Sequence, residues 1–173
     1  MTGTLKNKCR RRGFSLVEIM IVVTILGILA AIAVPKLANA SQLARENSLK
    51  DDLRQLRTQI GVYRSQHGNV CPGYPSGDTS QTPTEAALAD QLLKYSDVQG
   101  LTSDTRSTQY QWGPYVLGIP ENPINGKATW KFLGAGDAFT ADGTTGWLYQ
   151  PSTGFVKANV VGGDSTGKAI VEY

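Results

Sequence analysis

From Phe14 to Val34 the chain runs for 21 residues in which Glu18 is the only side chain that carries a charge. A helix rises about 1.5 Å per residue, so such a stretch reaches about 30 Å, the thickness of a bilayer's hydrocarbon core. Its length and composition predict a membrane-spanning helix. Glu18 is then the residue that needs an explanation. A carboxylate in hydrocarbon costs about 2.5 to 3.5 kcal/mol and is normally accounted for by a partner, and the segment itself offers no cation. A free α-amino group is one candidate. Cleavage between Gly13 and Phe14 would start the chain at Phe14 with a positive charge and make Glu18 its fifth residue. A second copy, displaced by about one helical turn, could set its amino terminus against this carboxylate, turning a costly acid into a device for register.

The residues alone leave two other readings of this end open. Ala38-Asn39-Ala40 before Ser41 has the small-residue pattern of a signal-peptidase site, which would release a soluble protein beginning at Ser41. The segment could also stay as an uncleaved signal anchor. Against the secretory signal stand the length of the apolar run, beyond the usual 7 to 15 or so residues of a signal core, and the acid inside it.

Charge sorts the chain into two parts. Lys6, Lys8, Arg10, Arg11 and Arg12 lie in the first 13 residues, which contain no acid; the remainder holds 12 basic against 14 acidic residues, a balance of −2. That balance argues against a nucleic-acid partner. A basic leader stays cytoplasmic, so the part after Pro35 is expected outside the cytoplasm. Of the two cysteines, Cys9 and Cys71, cleavage after Gly13 would remove the first. Cys71 is expected to be a partly buried thiol, with a bridge between chains as the alternative.

In its leader ending at Gly13, Phe14 after it, Glu18 at the fifth mature position, Gly27 at the fourteenth and Pro35 at the twenty-second, the sequence resembles the type IV pilins and the pseudopilins of type II secretion. The resemblance is tight over residues 6–37, moderate to about Pro75 and loose beyond. It implies cleavage by a prepilin peptidase, N-methylation of Phe14, residence in a bacterial inner membrane and assembly into a helical homopolymer. It also implies an inner-membrane assembly platform and minor pseudopilins as partners. Major pseudopilins are further known as calcium binders through a C-terminal loop. Asn122-Pro123-Ile124-Asn125-Gly126-Lys127 looks like that subfamily's Asp-Pro turn, departing from it at Asn122.

Gly27 and Pro35 are two positions at which the helix is expected to bend or loosen, and beyond Pro35 helical periodicity continues to about Gln66. Leu49, Leu53, Leu56, Ile60 and Tyr63 recur every three or four residues, one apolar stripe on an amphipathic helix. His67-Gly68 should close it. Residues 69–82 read as loop. Thr82-Pro83-Thr84-Glu85 predicts a capped helix start with Thr82 as cap, Pro83 in the first helical position and Glu85 reaching back, the helix running to about Lys94. Strands are expected at Tyr115–Ile119, Ala128–Leu133, Gly146–Gln150 and Phe155–Val161, the last two joined through the turn Pro151-Ser152-Thr153-Gly154. Trp112, Trp130, Phe132, Trp147 and Tyr149 should cover the helix as core.

Three features tempt a sharper reading. Gly162-Gly163-Asp164-Ser165-Thr166-Gly167-Lys168 has the spacing of a phosphate loop, but Ala169 follows where a hydroxyl must hold Mg²⁺ and no helix follows. A flexible tail turn is expected instead. Asp137 and Asp142 lie in a glycine-rich loop that could turn oxygens toward a calcium ion, although two acids are few for a cation that takes six to eight oxygens. His67, the one histidine, has no pattern of nucleophile or ligand around it and is expected to be structural or at the surface; no catalytic constellation is seen.

The expected fold is thus α+β: a long N-terminal helix with its first half in the membrane, packed against a small antiparallel sheet. The expected segments are a leader at 1–13, the core helix half at 14–37, the amphipathic half at 38–68, a connection at 69–108 and a β-rich head at 109–173. The expected function is structural and not enzymatic, a subunit of a type II secretion pseudopilus. A type IV pilus subunit for adhesion, motility or DNA uptake is one alternative, and a membrane-anchored or secreted binding module is another.

Overall fold

The computed structural model describes residues 13–173; the basic leader residues and Cys9 lie outside the described residues. Helix α1, Leu16–Gln66, contains Pro35. The chain divides into two units, one ending at Ser41 and one spanning Gln42–Tyr173.

Within the second unit the apolar stripe read from the sequence is the core. Leu49, Leu53, Leu56, Ile60 and Tyr63 are each at most 2% exposed, as expected for residues that return to one face every three or four positions. Burying one such side chain fully stabilises by about 1.5–3 kcal/mol, so this stripe is the largest apolar contribution of α1 to the head. The helix closes as expected. Gly68 takes φ +59° and the Asn69 N–H reaches the Arg64 carbonyl at 3.0 Å, the long bond of a Schellman closure that uses up an orphan carbonyl.

The second helix, α2 (Glu85–Leu93), is capped two residues later than predicted. Thr84, not Thr82, is the cap: its hydroxyl accepts from Ala87 N at 3.2 Å, and Pro83 precedes the cap instead of opening the helix. The Thr84 N–H is held by the Gly73 carbonyl at 2.9 Å, which fixes Thr84 in the extended conformation that a cap requires. Leu88 and Leu92 are buried and join the stripe of α1 in one core.

Two small sheets complete the head. Strands β1 (Tyr95–Ser96) and β2 (Thr102–Ser103) pair antiparallel. Strands β3 (Trp130–Phe132), β4 (Trp147–Gln150) and β5 (Phe155–Ala158) form the second sheet in that order. The predicted hairpin is present, with β4 and β5 antiparallel and Gly154 at φ +80° in its turn. β3, however, pairs with β4 in parallel, because residues 133–146 cross back to start β4 beside the start of β3. The strand expected at Tyr115–Ile119 does not form. Tyr115 and Val116, both buried, give their N–H groups to the Leu92 carbonyl at the end of α2 (2.9 and 3.1 Å), and the chain then turns out to solvent at Leu117 and Gly118 with no ladder. Trp130, Trp147 and Tyr149 lie in the core, with Phe132 packed at its edge. Trp112 departs from expectation and is 37% exposed, since its backbone pairs with Ser96 at the edge of the small sheet.

Candidate functional site

The first unit is a helix with apolar side chains on every face. Its first turn is closed by the Ser15 carbonyl, which accepts from Glu18 N at 3.1 Å and Ile19 N at 3.3 Å. Phe14, Leu16, Val17, Met20, Ile21 and Leu26 are all exposed. The polar Thr24 hydroxyl is turned inward to the Met20 carbonyl at 2.7 Å, so it does not interrupt the apolar surface. A helix that is apolar all round belongs inside a bilayer or among other helices, and this one is long and apolar enough to cross a membrane. Glu18 sits in its first turn, where the positive end of the helix dipole favours an acid by a fraction of its desolvation cost, about 0.3–1 kcal/mol. Its carboxylate makes no ion pair or side-chain hydrogen bond among the described residues. Nothing lies within 4 Å of the position a Cβ would take at Gly27.

In the head, the tail turn that was expected to be flexible is fixed to α1. Glu46, 3% exposed, accepts from Ser165 N and Ser165 Oγ, both at 2.8 Å, and from Gln42 Nε2 at 2.9 Å. Asp164 organises the turn itself, accepting from Thr166 N and Lys168 N at 2.8 and 3.0 Å and from the Tyr173 hydroxyl. The phosphate-loop spacing is therefore absorbed by a latch whose backbone N–H groups face its own carboxylates. Arg57 adds a second tie, donating to the carbonyls of Val156 at 2.7 Å and Tyr173 at 2.5 Å. Sequence reading passed over Glu46 because it has the look of one more charge on a solvated helix.

His67 is structural, and buried. Its ring stacks on Tyr63 with centroids 3.7 Å apart. Nδ1 donates to the Tyr63 carbonyl at 2.8 Å, which leaves Nε2 to accept from Ser96 Oγ at 3.0 Å. Burial lowers its pKa from the ordinary 6.5, opposed by the Tyr63 carbonyl and by Asp97. Cys71 is buried, and burial raises its thiol pKa, so it is not poised for bridging.

The two acids considered for calcium have separate engagements. Asp137 accepts from Gly134 N at 2.7 Å. Asp142 accepts from Lys131 Nζ at 2.7 Å, from Thr144 N and Oγ1 at 3.0 and 2.7 Å and from Asn159 Nδ2 at 2.7 Å. The Lys131 ammonium, followed by the Thr144 and Asn159 donors, holds its carboxyl well below the usual carboxylate range. Among the described residues no three His, Cys, Asp or Glu side chains gather to hold a metal. The side chains that organise this loop, Asn122, Asn125 and Asn159, were not singled out from the sequence as a cluster.

An all-apolar helix with one acid in its first turn, joined to a compact α+β head, defines a membrane-anchored protein of pilin type. The comparisons are specific. Residues 8–34 match the family model of the prokaryotic N-terminal methylation motif. The chain is 29% identical over 114 residues to a type II secretion system core protein G of Dickeya chrysanthemi, covering 66% of this chain and 63% of that protein. It is 31% identical over 114 residues to that of Klebsiella pneumoniae, covering 66% and 69%, and 28% identical over 138 residues to that of Vibrio cholerae, covering 80% and 81%. The chain belongs to the type II secretion system core protein G family, the pseudopilins. It spans just under two thirds of the Dickeya protein and somewhat more of the other two. No solved structure matches it.

Proposed function

We propose that this chain is a structural subunit of a type II secretion pseudopilus. A prepilin peptidase cuts between Gly13 and Phe14, the new amino terminus of Phe14 is methylated, and the subunit waits in the inner membrane with its head outside the cytoplasm. Assembly then packs the apolar half of α1 among the same halves of other copies, with an inner-membrane platform and minor pseudopilins as partners. The observation that carries this reading is Glu18: an exposed acid on an otherwise apolar helix, without a partner among the described residues of its own chain. A neighbouring copy's Phe14 amine supplies one, and the desolvation cost of about 2.5–3.5 kcal/mol penalises every register in which the pair is not made. The open surface at Gly27 suits the close approach of a second helix backbone.

Replacing Glu18 with Ala tests this directly. The variant should be made, processed and inserted with a normally folded head, yet form no sheared filaments and support no secretion. Filaments at the wild-type level would overturn the role given to Glu18, and a head that melts differently would mean that the residue acts on folding instead.

A further inference from the structure

The 134–146 loop is the part of the head where the sequence raised a calcium ion, and cations of the chain itself already stand there. Four consecutive carbonyls of this loop face the single turn at 122–127. Gly143 O and Thr144 O accept from Lys127 Nζ at 2.7 and 3.1 Å, Thr145 O accepts from Asn125 Nδ2 at 2.9 Å, and Gly146 O accepts from Asn122 Nδ2 at 2.9 Å. The one carboxylate beside them, Asp142, gives Oδ2 to Lys131 Nζ at 2.7 Å. Its other oxygen is taken by Thr144 and Asn159.

Calcium is held by six to eight oxygens that converge on it. Here the carboxylate and the two carbonyls suited to it already point at ammonium groups, and Asp137 is turned to the Gly134 N–H. An ammonium carries positive charge and three donors, so it performs the two tasks a calcium ion would perform in such a loop. It neutralises the acid, and it satisfies carbonyls that would otherwise splay apart. Unlike a bound ion, it is tethered and does not dissociate.

We propose that Lys127 and Lys131 replace a calcium ion in this subunit, closing the 134–146 loop so that the head folds independently of the metal. The inference concerns the head alone and stands whether or not the chain forms filaments.

The test uses the full chain in detergent micelles, with melting followed by the fluorescence of the buried Trp130 and Trp147 and with calorimetric titration of CaCl₂. Wild type should melt at the same temperature in CaCl₂ and in EGTA and give no saturable heat of calcium binding. Lys127→Met and Lys131→Met should each melt lower than wild type, by the same amount in both media. A wild-type melting point that rises in calcium, or a saturable binding heat, would overturn the proposal, as would either lysine variant melting like wild type. Should Lys127→Met fail to fold, the wild-type comparison still decides.

Discussion

Glu46 and Ser165, 119 residues apart in sequence, are joined by two hydrogen bonds of 2.8 Å, from the serine amide and the serine hydroxyl to the two oxygens of one carboxylate. This pair ties the 162–168 turn of the head to α1. The Ser165 hydroxyl, with Gln42 and the Ser165 amide behind it, holds the Glu46 carboxyl below its ordinary 4.5 against the opposing effect of burial. A depressed acid contributes stability above its unfolded pKa and loses it as pH falls through the folded one. Glu46→Ala should therefore lower the melting temperature at neutral pH. The difference from wild type should shrink as the medium is acidified below the ordinary carboxyl value of 4.5 and the wild-type carboxyl takes up its proton. A difference that stays constant across that range would show that the carboxylate charge is not what holds the latch.

His67 gives a second pH dependence of separate origin. Its pKa is lowered mainly by burial, so the unfolded chain takes up a proton at a higher pH than the folded head does. Stability is complete above about 6.5 and declines as pH falls from there toward the folded value. Melting measured between about pH 7.5 and about pH 5 should show this decline in wild type and a flatter profile in His67→Gln. Equal slopes would remove His67 from the account of acid sensitivity.

The stripe on α1 should behave as core. Leu56 is completely buried, and Leu56→Ala should destabilise the head by about 2–5 kcal/mol, the cost of lost apolar burial plus a cavity. Its exposed neighbour Gln55, changed to Ala, should stay within about 0.5 kcal/mol of wild type. Denaturant titration of both variants separates the two positions, and a small loss at Leu56 would mean that the head packs against α1 less closely than described.

How far the sequence carried the fold depends on the range of the interaction concerned. The Leu49-to-Tyr63 stripe and the turn 151–154 are local patterns, written in residues three to four apart or in four consecutive positions, and both were legible. The cap of α2 was misplaced by two residues because the bond that decides it comes from Gly73, outside the capping motif. Tyr115 and Val116 have strand-like side chains, yet α2 offers them a carbonyl and no ladder partner does. The parallel pairing of β3 with β4 was illegible for a similar reason, since pairing direction is set by the path of the crossover and leaves no mark on alternation. At the candidate site, Glu18 stood out because it is costly where it lies. Glu46, Lys127 and Lys131 did not, because a charge on a helix or near a turn reads as solvated until its distant partner is known.

The central claim, a subunit that begins at Phe14 and assembles through Glu18, is tested most directly by the intact mass and N-terminal sequence of the protein purified from its native membrane. The account predicts a chain starting at N-methylated Phe14. A chain starting at Ser41, or one that retains residues 1–13, would contradict it and remove the amine that Glu18 is held to meet.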